Sequence, residues 1–349
     1  MDEFIGQSNQ TISLKPKKSK IKIKAVAASM VDQCSWYRGM GPLGEIARRR
    51  DDIEIDFVPE VKVFRWDEVV KHDLLFFLRP FTKAHFETLQ LAKAMGLSVW
   101  VDYDDDFFVP EECSWMAENI LTTEWVEKSL ALADEVSVST PSIAESFRGK
   151  VKREYTVIPN GMDMRIGSKM IGHTYKERTK TIAWRGSETH DNDLLEISLQ
   201  YCATLNAAPD WKTWFYWGYP KFISYFIEHV HTRKPTALFL QSLAQNCHNI
   251  LMHPLNPTQF NHGKSNAAYL EGTMAGSMII GRNLPEWKNL PNCFTYKSAN
   301  EFSRVLKDLM SMSEVERMKH IEKGQRHIFL NFNLQKLNAA REAIIERLT

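Results

Sequence analysis

The sequence has no excess of charge of either sign: 44 Lys and Arg stand against 43 Asp and Glu, for a formal charge of +1. A protein built around a polyanion carries a basic surplus, so near-neutrality argues against that class. Long apolar runs are missing too. The longest fall short of the ~18 residues that a membrane-spanning helix needs, and the N-terminus is polar and Lys-rich with no apolar signal core. A soluble, cytoplasmic protein is the expectation. Cysteine is sparse, with Cys34, Cys113, Cys202, Cys247 and Cys293 scattered and no C-x-x-C pair. That fits reduced thiols and argues against a disulfide framework or a zinc site. There is no G-x-S-x-G, no H-E-x-x-H and no Cys/His metal spacing, so hydrolase-triad and zinc readings have no support. No internal repeat and no long low-complexity segment are found. What is present is 44% hydrophobic and 25% charged residues over 349 positions, ordinary globular composition at a length that suggests two domains.

The neutral total hides an uneven distribution. A cut after Arg165 leaves −5 before it and +6 after it, and six lysines between residues 15 and 24 mask a body of −9 from Ala25 to Arg165. The positive half is the place to look first for an anionic ligand such as a nucleotide diphosphate.

Along the chain, residues 1–20 read as a basic leader and Ile21 to Ala28 as a first strand, starting at a sheet edge and becoming buried at its apolar end, because Lys22 and Lys24 alternate with apolar neighbours. In CSWYRGMGPLGEIARRR, Gly39, Gly41 and Pro42 mark a loop and Leu43 to Arg50 a helix, the opening of a βαβ unit. IEIDFVP (53–59), DLLFFLRP (73–80), LSVWVDYD (97–104), ADEVSVSTPSIAESFRG (133–149) and EYTVIPNGMD (154–163) supply further strands with helical material between them. The alternation predicts a parallel, mostly buried sheet. Met164 to Lys180 loses its apolar pattern and reads as a linker. Alternation restarts at KTIAWRGSETHDNDLLEI and continues through WKTWFYWG (211–218), NCHNILMHPL (246–255) and SMIIGR (277–282), a second βα domain. Ser313 to Leu348 has helical spacing broken at Asn331–Asn333.

In parallel sheets ligands sit beyond the C-terminal ends of the strands, so the loops there carry the chemistry. SWYRGMGP (35–42) has two glycines before a helix N-terminus, a structural turn or an anion seat. DYDDDF (102–107) puts four carboxylates within five residues, which fits a divalent cation site, a general base or hydroxyl clamp, or a solvated acidic loop. Arg185 and Gly186 follow the first strand of the second domain, an arginine beside exposed backbone N–H groups that suits a diphosphate, and Ser187 or Thr189 could cap the next helix. His190 fits an acid or base, or a structural histidine. Lys264 and Ser265 fall at a helix start, with Glu271 two turns on along roughly the same face, an arrangement suited to phosphate at one end and sugar hydroxyls at the other. Trp211, Trp214, Phe215, Tyr216, Trp217 and Tyr219 read as core in a strand more than as a stacking platform.

Together VIPNGMD (157–163), WRGS with a nearby His and Asp (184–191) and KSNAAYLEGTMAGSMIIG (264–281) resemble a GT-B glycosyltransferase of the group 1, retaining GT4-like type, in the divergent form that bacteriophages and bacteria encode. The resemblance implies an α/β GT-B fold, two Rossmann-like βαβ domains facing a cleft: 21–165 for the acceptor, a linker at 166–180, 181–330 for the nucleotide sugar, and a C-terminal helix in 331–349 crossing back. It places the donor against Arg185, Gly186, Lys264, Ser265 and Glu271; Ser187 and, from the first domain, Arg38 and Gly39 are further donor-side candidates. Glu271 would contact the ribose. The E-x7-E pair of such enzymes is incomplete, because Gly263 stands eight residues before Glu271.

The resulting expectation is an enzyme that moves a sugar from a nucleotide-sugar donor, a UDP-sugar, to a hydroxyl acceptor with retention. Asp102, Asp104 and Asp105 are the candidate catalytic groups, and Asp106, Asn160 and His190 lie on the acceptor side. No cofactor is expected, and a divalent metal is left open. A modified, hydroxymethyl-type pyrimidine in double-stranded phage DNA is one acceptor; an envelope polysaccharide or lipid-linked glycan is the other. A non-catalytic nucleotide- or glycan-binding GT-B protein is the reading from a different class.

Overall fold

The computed structural model describes residues 20–26, 32–58, 70–186, 190–219, 223, 227–232 and 234–349. Two six-stranded parallel sheets organise the chain into two Rossmann-like domains. The first contains β1 (Ile21–Val26), β2 (Ile53–Val58), β3 (Leu74–Leu78), β4 (Ser98–Tyr103), β5 (Glu135–Val138) and β6 (Thr156–Val157), in the order β2-β1-β3-β4-β5-β6. The second contains β7 (Thr179–Arg185), β8 (Lys212–Tyr216), β9 (Ile227–His231), β10 (His248–His253), β11 (Met278–Arg282) and β12 (Cys293–Tyr296), in the order β12-β11-β10-β7-β8-β9.

Strands covered on both faces read as unbroken apolar runs, and LLFFL of β3 is buried at every position. Its side chains alternate. Leu75 and Phe77 join Val99 and Val101 in one layer, whereas Leu74, Phe76 and Leu78 join Trp100 in the other. The second sheet repeats this, with Ala183, Leu251 and Ile279 on one side and Ile182, Trp184, Ile250, Met252 and Ile280 on the other.

Three expectations change. β1 is not an edge strand but lies between β2 and β3; its Lys24 is tolerated there because its ammonium pairs with Asp56 on β2. The linker segment begins inside a helix, Met164–Ile171, that turns Gly167 and Met170 inward. β9 and β12 are strands that the sequence pattern does not single out.

The expected break at residues 331–333 separates the helices Glu314–Asn331 and Leu334–Leu348. There the chain crosses back to the first domain: Met162 N donates to Phe332 O at 2.8 Å and Leu334 N to Met162 O at 3.0 Å. Gly161 makes this approach possible, since a Cβ on it would stand 3.0 Å from the Cα of Leu334 and 2.9 Å from a methyl of Leu337. The last helix then buries Ile344 and Ile345 against Leu43, Ile46 and Trp100 of the first domain, and Asn338 Nδ2 donates to Pro42 O at 3.0 Å. Among the described residues, no helix is long and apolar enough to cross a membrane.

Candidate active site

Strand order reverses direction between β1 and β3 in the first sheet and between β7 and β10 in the second. Crevices open beyond the C-terminal ends of strands at such switch points. Here the two crevices face one another, because the residues that follow those strand ends touch across the domains. Lys264 Nζ meets Asp105 Oδ1 at 2.8 Å, Asn160 Nδ2 donates to Ser265 Oγ at 2.9 Å, and Tyr37 Oη donates to Glu271 Oε1 at 3.0 Å.

On the first-domain wall, β4 delivers Asp102 to Asp106. Arg38 and Asp102 form a brace and not a cleft group: the guanidinium is wholly buried and pairs through Nε and Nη2 with both Asp102 oxygens at 2.8 Å, while Nη1 donates to Ile158 O and Asn160 Oδ1. Asp102 also accepts from Ser137. Both were expected to face donor or acceptor. Burial forces them instead to satisfy each other inside the domain, since a lone buried charge is costly. Gly39 likewise is no loop residue: it lies in a π-helical turn, Trp36–Met40, that runs into the helix Gly41–Arg49, and it faces the ring of Phe76.

Asp105 meets the second domain through Lys264, whereas Asp104 is buried beside it. Arg79, the residue after β3, pairs with Asp104 and lies 3.2 Å from Asp105. Its φ of 55° is strained for an arginine, a cost that clusters at functional sites. The sequence reading missed it; the signal was a lone base closing the apolar run LLFFLRP at a switch point. Burial would raise the Asp105 carboxyl, but Lys264 and Arg79 overcome it and hold it below its ordinary value. Asp106 is pushed up by burial and accepts from Phe108 N at 3.0 Å and Gln259 Nε2 at 3.4 Å.

On the second-domain wall, Arg185 closes β7 and pairs through Nε with Glu271 Oε2 at 2.8 Å. Glu271 sits fully buried on the helix Ala267–Met274, and burial raises its carboxyl against the pull of Arg185. Lys264 and Ser265 lie just before that helix, whose first N–H groups have no intrahelical acceptor and whose N-cap Asn266 makes no capping bond. Gly186 turns the chain so tightly that a Cβ would stand 2.4 Å from the Trp184 ring. His190 Nδ1 pairs with Asp193 at 2.7 Å, and His253, at the end of β10, donates from Nδ1 to Arg185 O at 3.2 Å. Burial lowers both imidazoles below their ordinary value. Ser187 lies outside the described residues.

Cys34, Asp104 and Asp105 bring one potential metal ligand each within 4.8 Å of one another. Arg79 and Lys264 already neutralise those carboxylates, so a divalent ion there would have to displace two cations.

Solved structures share this architecture. A UDP-forming α,α-trehalose-phosphate synthase from Burkholderia xenovorans aligns with a TM-score of 0.66 at 11% identity, over 94% of this chain and 99% of that one. An α-glucosyltransferase in complex with UDP-glucose and DNA containing an abasic site gives 0.64 at 12% identity, over 94% and 100%. Anabaena HepE in complex with UDP and glucose gives 0.65 at 12% identity, over 94% and 100%. The chain has the GT-B fold. No protein-family model and no curated protein matches the sequence.

The GT-B frame gives the contacts between the walls a meaning. Thr140 Oγ1 donates to Gly263 O at 3.1 Å and Glu112 accepts from Phe260 N at 2.6 Å, so the segment before Lys264 docks on the first domain. Gly263 keeps that docking close, since a Cβ there would stand 3.1 Å from Ile143 Cγ1 and the isoleucine would have to give by a few tenths of an ångström.

Proposed function

We propose that this chain is a glycosyltransferase that moves a sugar from a nucleotide sugar, a UDP-sugar, to a hydroxyl. The observation that carries the reading is the pairing of Arg185 with the buried Glu271 at the second switch point, with Lys264 of the same domain reaching across to Asp105 beyond the end of β4. Two cations and a helix N-terminus suit a diphosphate. A buried carboxylate suits the hydroxyls of a ribose. The solved GT-B proteins that hold UDP or UDP-glucose support that donor class.

In this reading the bond from the anomeric carbon to the β-phosphate oxygen breaks, and the electron pair leaves with UDP, stabilised by Arg185 and Lys264. The acceptor oxygen bonds to the same carbon and its proton leaves with the diphosphate. Asp105, whose charge is already met by Lys264 and Arg79, holds Lys264 in place and does not act as the base. Retention of configuration rests on the family resemblance. Asp106, Asn160 and His190 are the acceptor-side candidates, with Asn160 reaching Ser265 at 2.9 Å and His190 held by Asp193 at 2.7 Å.

For the acceptor, an α-glucosyltransferase solved with UDP-glucose and DNA containing an abasic site supports DNA as one candidate, and the hydroxymethyl-type pyrimidine rests on the family resemblance. Residues 94–127, which supply the first-domain wall, hold nine carboxylates and no lysine or arginine. Asp102, Asp104 and Asp105 are already matched by Arg38, Arg79 and Lys264, and the remaining carboxylates, with no base among them, favour an uncharged saccharide hydroxyl over a phosphate backbone. Nucleotide release from a panel of nucleotide sugars, with and without modified DNA duplexes and glycan acceptors, tests both. A protein that neither binds nor cleaves any donor would sink the proposal, and binding without release would make it a GT-B binding module.

A further inference from the structure

On the premise that a nucleotide sugar occupies this cleft, we propose that Gln33 and Trp217, one from each domain, form with Arg185 a clamp for an oxygen of the donor beyond its nucleoside. The ligand chemistry is an electron-rich oxygen, from the diphosphate or from a hydroxyl of the transferred sugar.

Gln33 opens the short helix Gln33–Ser35 that follows β1, with Asp32 as its cap. Its Oε1 accepts from Arg185 Nη2. That bond fixes the amide orientation and turns Nε2 away as a donor. Nε2 is buried and has no hydrogen-bond partner among the described residues. Trp217 stands one residue beyond β8 with a φ of 86°, a backbone conformation that side-chain-bearing residues rarely hold without a reason. Its ring lies 5.6 Å from the guanidinium carbon of Arg185 and 4.9 Å from the ring of Phe239. Its indole N–H is also buried without a partner among the described residues.

Buried polar groups are almost always paired, so two orphaned donors beside one guanidinium need a shared explanation. An acceptor atom lodged between them supplies it. All three groups donate and none accepts, apart from the Gln33 oxygen already engaged by Arg185, so the occupant must bring lone pairs. Because the donors come from opposite domains, the occupant also ties the closed cleft together.

Trp217→Phe keeps the ring that stacks on Arg185 and deletes the N–H; Gln33→Leu deletes the other donor. Calorimetric titration of each variant with UDP-glucose, UDP and uridine reads the clamp, and the unliganded melting temperature shows that each is folded. Because the substitutions lie in different domains, one remains informative where the other fails to fold. We expect each to weaken UDP-glucose binding about tenfold, the effect of losing one good hydrogen bond, with uridine unaffected. A loss shared by UDP assigns a phosphate oxygen; a loss confined to UDP-glucose assigns a sugar hydroxyl. Folded variants that bind UDP-glucose and UDP like the wild type overturn the clamp alone, as does an equal loss with uridine. A wild-type protein that binds neither these ligands nor the GDP, ADP and dTDP counterparts fails at the donor reading itself.

Discussion

The Tyr37 phenol donates to the Glu271 carboxylate across the domain boundary at 3.0 Å, although 234 residues separate them. Arg185 takes the other oxygen, so both acceptor atoms of Glu271 are engaged and shielded from water. Replacing Glu271 by Gln leaves Arg185, itself mostly buried, without its counter-charge. Breaking a buried pair from one side typically costs about 3 kcal/mol. Denaturant unfolding of Glu271→Gln should show a loss of that size, together with donor affinity lowered about tenfold. Unchanged donor affinity would exclude Glu271 from the binding set.

Lys264 offers a separable test. Its ammonium is held above its ordinary pKa: burial works against the charge, and Asp105 at 2.8 Å restores it. Lys264→Ala should raise the donor KM by at least about tenfold, the worth of a hydrogen bond to a charged group. Lys264→Arg keeps the charge and should retain most of the affinity. Equal kinetics in all three forms would show that the ammonium serves Asp105 alone.

The two cleft histidines make stability depend on pH. Burial depresses His190 and His253, so the unfolded chain binds protons that the folded chain refuses. Stability from this source is fully present above the unfolded value of about 6.5 and is lost as pH falls below it toward the folded pKa values. Each imidazole contributes up to about 1.4 kcal/mol per pH unit inside that window. Urea unfolding at pH 7.5 and 5.5 measures the slope, and His253→Gln should flatten it by one proton. A slope that survives in both His190→Gln and His253→Gln assigns the loss to other groups.

The domains were legible because parallel strands are apolar runs with little ambiguity: LLFFL and MIIG stand out without any neighbours in space. β9, with its IEHVH pattern, and the four-residue β12 lack that signature. Positions after strands were legible for the same reason, which is why the sequence alone brings Arg185, Lys264 and Glu271 together. Pairings were not. Nothing in WYR says that Arg38 turns inward to Asp102 while Tyr37 turns outward to Glu271, since both partners arrive from distant parts of the chain. Trp217 does pack on the core, against Phe239, as the sequence suggests; what the sequence does not show is its positive φ and its approach to Arg185.

Metal dependence follows from the charge pattern around Asp104 and Asp105. Arg79 and Lys264 provide the positive charge that a divalent ion would bring. Transfer should therefore persist in excess EDTA, measured as nucleotide release with a competent donor. Loss of activity in EDTA, restored by Mn2+ or Mg2+, would instead make Cys34, Asp104 and Asp105 cation ligands, and Asp105→Asn would then abolish the restoration.

Two glycines separate backbone necessity from packing. At Gly186 an added Cβ stands 2.4 Å from the ring of Trp184, which is buried and held against Phe215 at 5.3 Å, so the ring cannot retreat. Gly186→Ala must move the chain that carries Arg185, at a cost of about 1–3 kcal/mol for overpacking and with weaker donor binding. At Gly39 the nearest described atom is Phe76 Cε1 at 3.7 Å, an ordinary contact, and the turn is helical. Gly39→Ala should be no worse than neutral, because alanine is favoured over glycine inside a helix by about 1 kcal/mol. Thermal unfolding and donor titration of both variants decide the matter. A Gly39→Ala protein that folds normally but loses the donor would restore Gly39 to the donor site, and a Gly186→Ala protein unchanged in both measurements would mean that the β7 turn is free to relax without moving Arg185.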